Sequence, residues 1–177
     1  MQSRPSWDAY FMMLAKLAAS RSTCLSRPTG SVIVKDRQIL ATGYNGSLPG
    51  QAHCVDDGVC FRRSLDWPEA AKYDMCRSAH AEANAIALGA KKGVSLEGAT
   101  IYCTLEPCIT CAKLIVMSGI VRVVYEHGYE SPIPKRDQYW KDVLLKSNTV
   151  VEQLIISDAT IASAEEFLQP KTSRRKL

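Results

Sequence analysis

The sequence predicts an α/β domain, a three-layer α/β/α sandwich built on a mixed five-stranded sheet. Three patterns carry that expectation. Two β-branched or alternating runs, 31–35 and 38–44, flank Asp36 and Arg37, which predicts an antiparallel hairpin. A strand, a helix and a second strand follow one another over 99–125, which predicts a parallel βαβ unit with a right-handed crossover. Amphipathic helical spacing around these runs supplies cover for both faces of the sheet. At 177 residues the chain suits a single domain over 1–177, and it shows no internal repeat.

Taken in order, residues 6–22 place Trp7, Tyr10, Phe11, Leu14, Leu17 and Ala18 at helical spacing among Asp8, Lys16 and Arg21, so the first element is an amphipathic helix. The hairpin follows. From 45 to 79 the pattern breaks into Gly, Pro, His and Cys, with a short helical hint at 67–73. A loop of that length inside a compact domain calls for a function or a staple. Residues 81–92 are Ala-rich and end at Gly93 with Lys91 and Lys92 in the last turn, a helix with a glycine stop. A strand at 99–105, a helix at 108–118 ended by Gly119 and a strand at 121–125 make the βαβ unit. A Pro-containing loop at 128–136, a helix at 137–146 carrying Tyr139, Trp140, Val143 and Leu144, and a last strand at 149–156 complete the reading.

Composition excludes several classes. A hydrophobic fraction of 46% and a charged fraction of 23% are ordinary for a globular protein. No run of about 18 apolar residues is present to span a membrane, and the N-terminus lacks the basic start and apolar core of a secretion signal, so a cytoplasmic location is expected. The 7 cysteines, an odd number, point in that compartment to metal sites and free thiols rather than disulfides. The net charge of +4 comes partly from a basic tail at 170–177, expected to be flexible. Without a basic stripe interleaved with aromatics elsewhere, no stable nucleic-acid partner is expected.

The chemistry concentrates in His80-Ala81-Glu82 and Pro107-Cys108-Ile109-Thr110-Cys111. One imidazole and two thiolates leave a tetrahedral zinc one ligand short, and catalytic zinc sites keep that position for water. Glu82 is poorly placed as a fourth ligand, because residues two apart do not share a helix face. It is better cast as the catalytic proton shuttle. Pro107 suits a helix start, and the positive end of the helix dipole favours thiolate at Cys108 and Cys111. H-x-E with P-C-x-x-C is the pattern of zinc-dependent nucleobase deaminases.

Over about 7–156 the chain resembles the deoxycytidylate (dCMP) deaminases of the cytidine deaminase superfamily. The resemblance rests on Arg21-Ser22-Thr23-Cys24, on Gly43-Tyr44-Asn45-Gly46-Ser47, on Arg77-Ser78-Ala79-His80-Ala81-Glu82-Ala83-Asn84-Ala85-Ile86, and on Pro107-Cys108-Ile109-Thr110-Cys111 followed by Ala112-Lys113-Leu114-Ile115. The GYNGS stretch is the most discriminating, since the zinc motif alone fits deaminases of several bases. The likeness implies a cytidine deaminase-like fold and hydrolysis of the C4 amino group of dCMP, giving dUMP and ammonia in pyrimidine deoxynucleotide metabolism. Glu82 would carry a proton from water to N3 and then to the departing amine.

The same resemblance implies substrate contacts from Asn45, through a sugar hydroxyl, from Tyr129, and from Arg27 as the phosphate cation. Glu130 stands where some relatives have arginine. It also implies a second, structural zinc held by Cys24, Cys54, Cys60 and Cys76, with His53 as an alternate ligand. Which four of these five bind stays open. It further implies a homohexamer activated by dCTP with Mg2+ and inhibited by dTTP, with Gly43, Tyr44, Asn45 and Gly46 in the effector site, a glycine-rich stretch whose backbone N–H groups could approach a triphosphate. Two other readings remain: a zinc deaminase of another cytosine nucleotide or RNA base, and a non-catalytic zinc-stabilised binding protein, which would not need Glu82.

Overall fold

In the computed structural model, which describes residues 4–68, 75–129 and 134–168, the fold starts from the hairpin. Asp36 and Arg37 both take positive φ, 50° and 62°. A two-residue turn of that kind matches the right-handed twist of its strands, and it joins β1 (Gly30–Lys35) to β2 (Gln38–Tyr44). The first helix, α1 (Trp7–Ala19), precedes them; its N-cap Ser6 accepts a hydrogen bond from the Ala9 N–H at 3.1 Å.

Three parallel strands extend the sheet: β5 (Thr100–Leu105), β6 (Arg122–His127) and β7 (Val150–Gln153), in the order β2-β1-β5-β6-β7, with β1 antiparallel to both its neighbours. The expected mixed five-stranded sheet is therefore present. A separate small sheet pairs β3 (Gly46–Ser47) with β4 (Ser78–Ala79). Between these two strands lie the short helices α2 (Cys54–Asp57) and α3 (Phe61–Ser64). The remaining helices are α4 (Ala81–Lys91), α5 (Ile109–Met117), α6 (Pro134–Lys146) and α7 (Asp158–Leu168).

Side chains alternate across the strands, as a sheet covered on both faces requires. Ile33, Ile101, Cys103 and Val123 point into one cluster with Ala85 of α4, Ala112 and Ile115 of α5, and Trp140 and Leu144 of α6. Val32, Val34, Tyr102 and Val124 point into the other, with Phe11, Met12 and Ala15 of α1 and Ile161 of α7 at its edge. Helices thus cover both faces.

The C-terminal part departs from the sequence reading in three ways. Helix α6 begins at Pro134, inside the expected loop, because proline's fixed φ suits a first helical turn. The last strand is shorter than expected, stopping at Gln153. The chain then forms α7, which the reading lacked; its first turn is capped by the Ser157 hydroxyl, accepting from the Thr160 N–H at 3.2 Å. The basic tail, Glu130 and most of the helical hint at 67–73 lie outside the described residues.

Candidate active site

Two helix starts meet at the carboxyl end of β5. His80, the N-cap of α4, has extended backbone (φ −73°, ψ 155°) and is delivered by β4. Cys108 is the N-cap of α5, also extended, and Cys111 lies in its first turn. Pro107 therefore stands just before the cap, one step outside the helical turn expected for it. Helix α4 is held in place by three contacts: the Ser31 hydroxyl donates to Ala81 O at 2.8 Å, the Asn84 amide donates to Tyr44 O at 2.6 Å, and Gly43 lets β2 close on it. A Cβ on Gly43 would lie 2.2 Å from Ala81 O.

His80 Nδ1 is 3.4 Å from the sulfur of Cys108 and 3.4 Å from that of Cys111. Zinc bonded tetrahedrally to one nitrogen and two sulfurs would space N and S by about 3.6 Å, given bond lengths near 2.0–2.1 and 2.3 Å. The donor set fits zinc in kind and in spacing. Among the described residues it is the one group of three or more His, Cys, Asp or Glu whose ligand atoms all lie within 4.8 Å of one another. The Cys108 thiol is pulled down to about 3, first by the Cys111 thiol hydrogen-bonded to it and then by His80. His80 is raised to about 9, chiefly by its hydrogen bond with Cys108.

Glu82 is buried, 7% exposed, in the first turn of α4. Burial pushes its carboxyl upward, against the opposing pull of His80. An upward shift brings a carboxyl closer to the balance between accepting and returning a proton that a shuttle needs.

Beside this centre, Arg27, Pro28, Thr29, Thr104, Leu105, His127 and Gly128 line a cavity of about 390 Å³. Two residues expected to touch substrate come together here, with the Arg27 guanidinium 5.1 Å from the Tyr129 ring centroid. The third, Asn45, is hydrogen-bonded into the wall of this cavity. Its Oδ1 accepts from the Ser22 hydroxyl at 2.6 Å and from the Thr29 N–H at 2.8 Å, and its Nδ2 donates to Arg27 O at 2.9 Å. The amide pins the Arg27–Thr29 wall and keeps only one N–H uncommitted.

The amides in and after the expected effector stretch are also largely committed. The N–H groups of Asn45, Ser47 and Leu48 already donate to Thr29 O, the Thr23 hydroxyl and Arg77 O. Gly43 and Gly46 serve close packing, the latter against Thr23, where a Cβ would lie 2.5 Å from the hydroxyl oxygen. These residues form strand ends rather than a loop of open amides. Tyr44 is the member of the stretch with substantial exposure.

Of the second-zinc candidates, Cys24 and Cys60 are close enough to Cys76 that their charges, after burial itself, push its thiol upward. Cys54 lies instead against Arg77, whose guanidinium is 3.7 Å from its sulfur and pairs with Asp57. His53 Nδ1 is buried with no hydrogen-bond partner. The five candidates share one region, but their donors are not drawn into a ligand cage.

Sequence reasoning missed Thr29, Thr104, His127 and Glu106. The last, a buried carboxylate directly before Pro107, is visible in sequence only as a neighbour of the metal cysteines.

Residues 5–127 match the cytidine and deoxycytidylate deaminase zinc-binding region. The chain belongs to this family. It is 46% identical over 128 residues to the deoxycytidylate deaminase of Mycobacterium phage D29, covering 70% of this chain and 96% of that one. To ComE operon protein 2 of Bacillus subtilis (strain 168) it is 38% identical over 159 residues, covering 89% of this chain and 76% of the relative. The crystal structure of the dCMP deaminase of cyanophage S-TIM5 with dCMP and dUMP superposes with a TM-score of 0.67 at 29% identity, over 86% of this chain and 99% of that one. Against the longer Saccharomyces cerevisiae deoxycytidylate deaminase, 44% identical, the match spans 39% of the relative's length. Among the described residues no helix is long and apolar enough to cross a membrane.

Proposed function

We propose that this family member hydrolyses dCMP to dUMP and ammonia, a hydrolase acting on a cyclic amidine C–N bond. The observation that carries the reading is the convergence of His80 Nδ1 and the Cys108 and Cys111 sulfurs beside the buried Glu82. Zinc held by His80, Cys108 and Cys111 would supply Lewis-acid polarisation of the attacking water. Glu82 takes one proton of that water and delivers it to N3 of the cytosine ring as C4 is attacked, then takes the second proton from the new C4 hydroxyl and passes it to the amine as the C4 carbonyl forms and the C–N bond breaks. Arg27 faces the 5′-phosphate, Tyr129 lies along the nucleotide, and the remaining Asn45 N–H is available to a sugar hydroxyl.

Ammonia release measured on dCMP, dCTP, deoxycytidine and cytosine tests this. We expect dCMP to be turned over with the highest kcat/KM; a preference for free cytosine or deoxycytidine would overturn it.

The resemblance extends the proposal to a cytoplasmic homohexamer activated by dCTP with Mg2+ and inhibited by dTTP, with exposed Tyr44 as the effector-facing residue. It also extends to a structural zinc at Cys24, Cys54, Cys60 and Cys76 or His53, supported by the Cys24–Cys60–Cys76 proximity and the unpartnered His53 nitrogen. Binding there would require Cys54 and its neighbours to move together.

A further inference from the structure

Glu106 occupies the turn between β5 and the metal cysteines and is only 8% exposed. One carboxylate oxygen accepts a hydrogen bond from the Tyr129 N–H at 2.8 Å, and the other pairs with Lys141 Nζ of α6 at 2.9 Å. Its own N–H donates to His127 O at 2.8 Å. It therefore ties three elements together at the rim of the cavity that holds Arg27 and His127. None of these contacts reaches the metal donors. What they fix is the Gly128-Tyr129 segment, and the Tyr129 ring in turn backs the Arg27 guanidinium.

We infer that Glu106 is a positioning residue for nucleotide selectivity: by holding the Tyr129 backbone it sets the ring against which Arg27 is ordered, so that the cation meets the 5′-phosphate of the substrate. The inference rests on the proposed dCMP reading. It assigns Glu106 no part in proton transfer.

A buried hydrogen bond removed from one side leaves its partner unsatisfied, an effect large enough to be read in kinetics. Glu106→Ala is expected to raise KM for dCMP by about tenfold or more, with kcat within about threefold. Kinetics on deoxycytidine, which has no phosphate to meet, should change far less, and zinc content should be unchanged. Glu106→Gln keeps an acceptor for the Tyr129 N–H and should restore most of the affinity for dCMP. Glu106→Asp, which withdraws the acceptor by one methylene, should not. These two variants carry the test if Glu106→Ala fails to fold.

Equal losses on dCMP and deoxycytidine, or a Gln variant as impaired as the Asp variant, would overturn the inference. Wild-type enzyme that does not prefer dCMP to deoxycytidine overturns the underlying reading instead, so the two failures are distinguishable.

Discussion

Glu82 reaches its place because it is two residues beyond a helix-capping histidine: the cap faces the Cys108 and Cys111 sulfurs while the first turn buries the carboxylate beside it. Glu82→Gln keeps the shape and removes the proton carrier. We expect turnover to fall by about 10²–10⁴-fold at unchanged zinc content. Activity close to wild type with full zinc would remove Glu82 from the mechanism. His80, Glu82, Cys108 and Cys111 were legible because each half of the constellation is local in sequence and sits at a helix start. Asn45 was legible as important but its protein partners were not, since an amide in a turn carries no sign of which groups will meet it; here they are Ser22, Arg27 and Thr29. Glu106 showed in sequence only its place beside the metal cysteines, because the Tyr129 N–H it receives comes from 23 residues further along.

At the scale of elements, the position of α4 depends on β2 having no side chain at Gly43. An added Cβ would meet Ala81 O at 2.2 Å and Ala85 N at 2.6 Å, backbone atoms that cannot swing aside. Gly43→Ala should therefore push α4 away and destabilise the fold by about 1–3 kcal/mol, the usual range for overpacking. For a chain of this size that is about 2–4 °C in Tm for each kcal/mol. Since α4 brings His80 and Glu82 to the site, the variant should also release zinc more readily to a chelator. Gly30→Ala makes the matched control, because its Cβ would meet Ala15 O of α1 at 2.1 Å, on the opposite layer. It should lower Tm without the added loss of metal. Similar zinc retention in both variants would show that α4 is not what positions the histidine. The element reading succeeded where periodicity was strong, in α1, the hairpin and the βαβ unit. It failed where one residue type admits two roles, since Pro134 was read within a loop but opens α6, and it stopped at the last strand, short of Ser157, whose hydroxyl caps α7.

Across the whole molecule, the two helical layers are fastened to the sheet by different means. The α4–α5–α6 face closes on an apolar cluster. The α1 face adds charge. Asp8 accepts from Arg122 through both carboxylate oxygens, each at 2.9 Å, and from the Tyr102 hydroxyl at 2.6 Å, while Arg122 also pairs with Glu152. Lys16 reaches the buried Glu126 at 2.7 Å. This fastening implies a pH dependence with a definite sign. The hydrogen-bonded Arg122 guanidinium, more than any other neighbour, holds the Asp8 carboxyl below its usual range. The folded state therefore favours the ionised form, so stability from Asp8 is fully present above the unfolded value near 3.9 and is lost as pH falls through the lower folded value. Asp8→Asn should lower Tm at pH 7, where the carboxylate would otherwise be ionised. The gap to wild type should shrink as the solution is acidified below about pH 4. Because Asp8 is partly exposed, added salt should narrow the gap at pH 7 as well. A gap that stays constant from pH 7 to pH 3 would mean that the carboxylate acts through shape and hydrogen bonding alone, and that charge plays no part in holding α1 to the sheet.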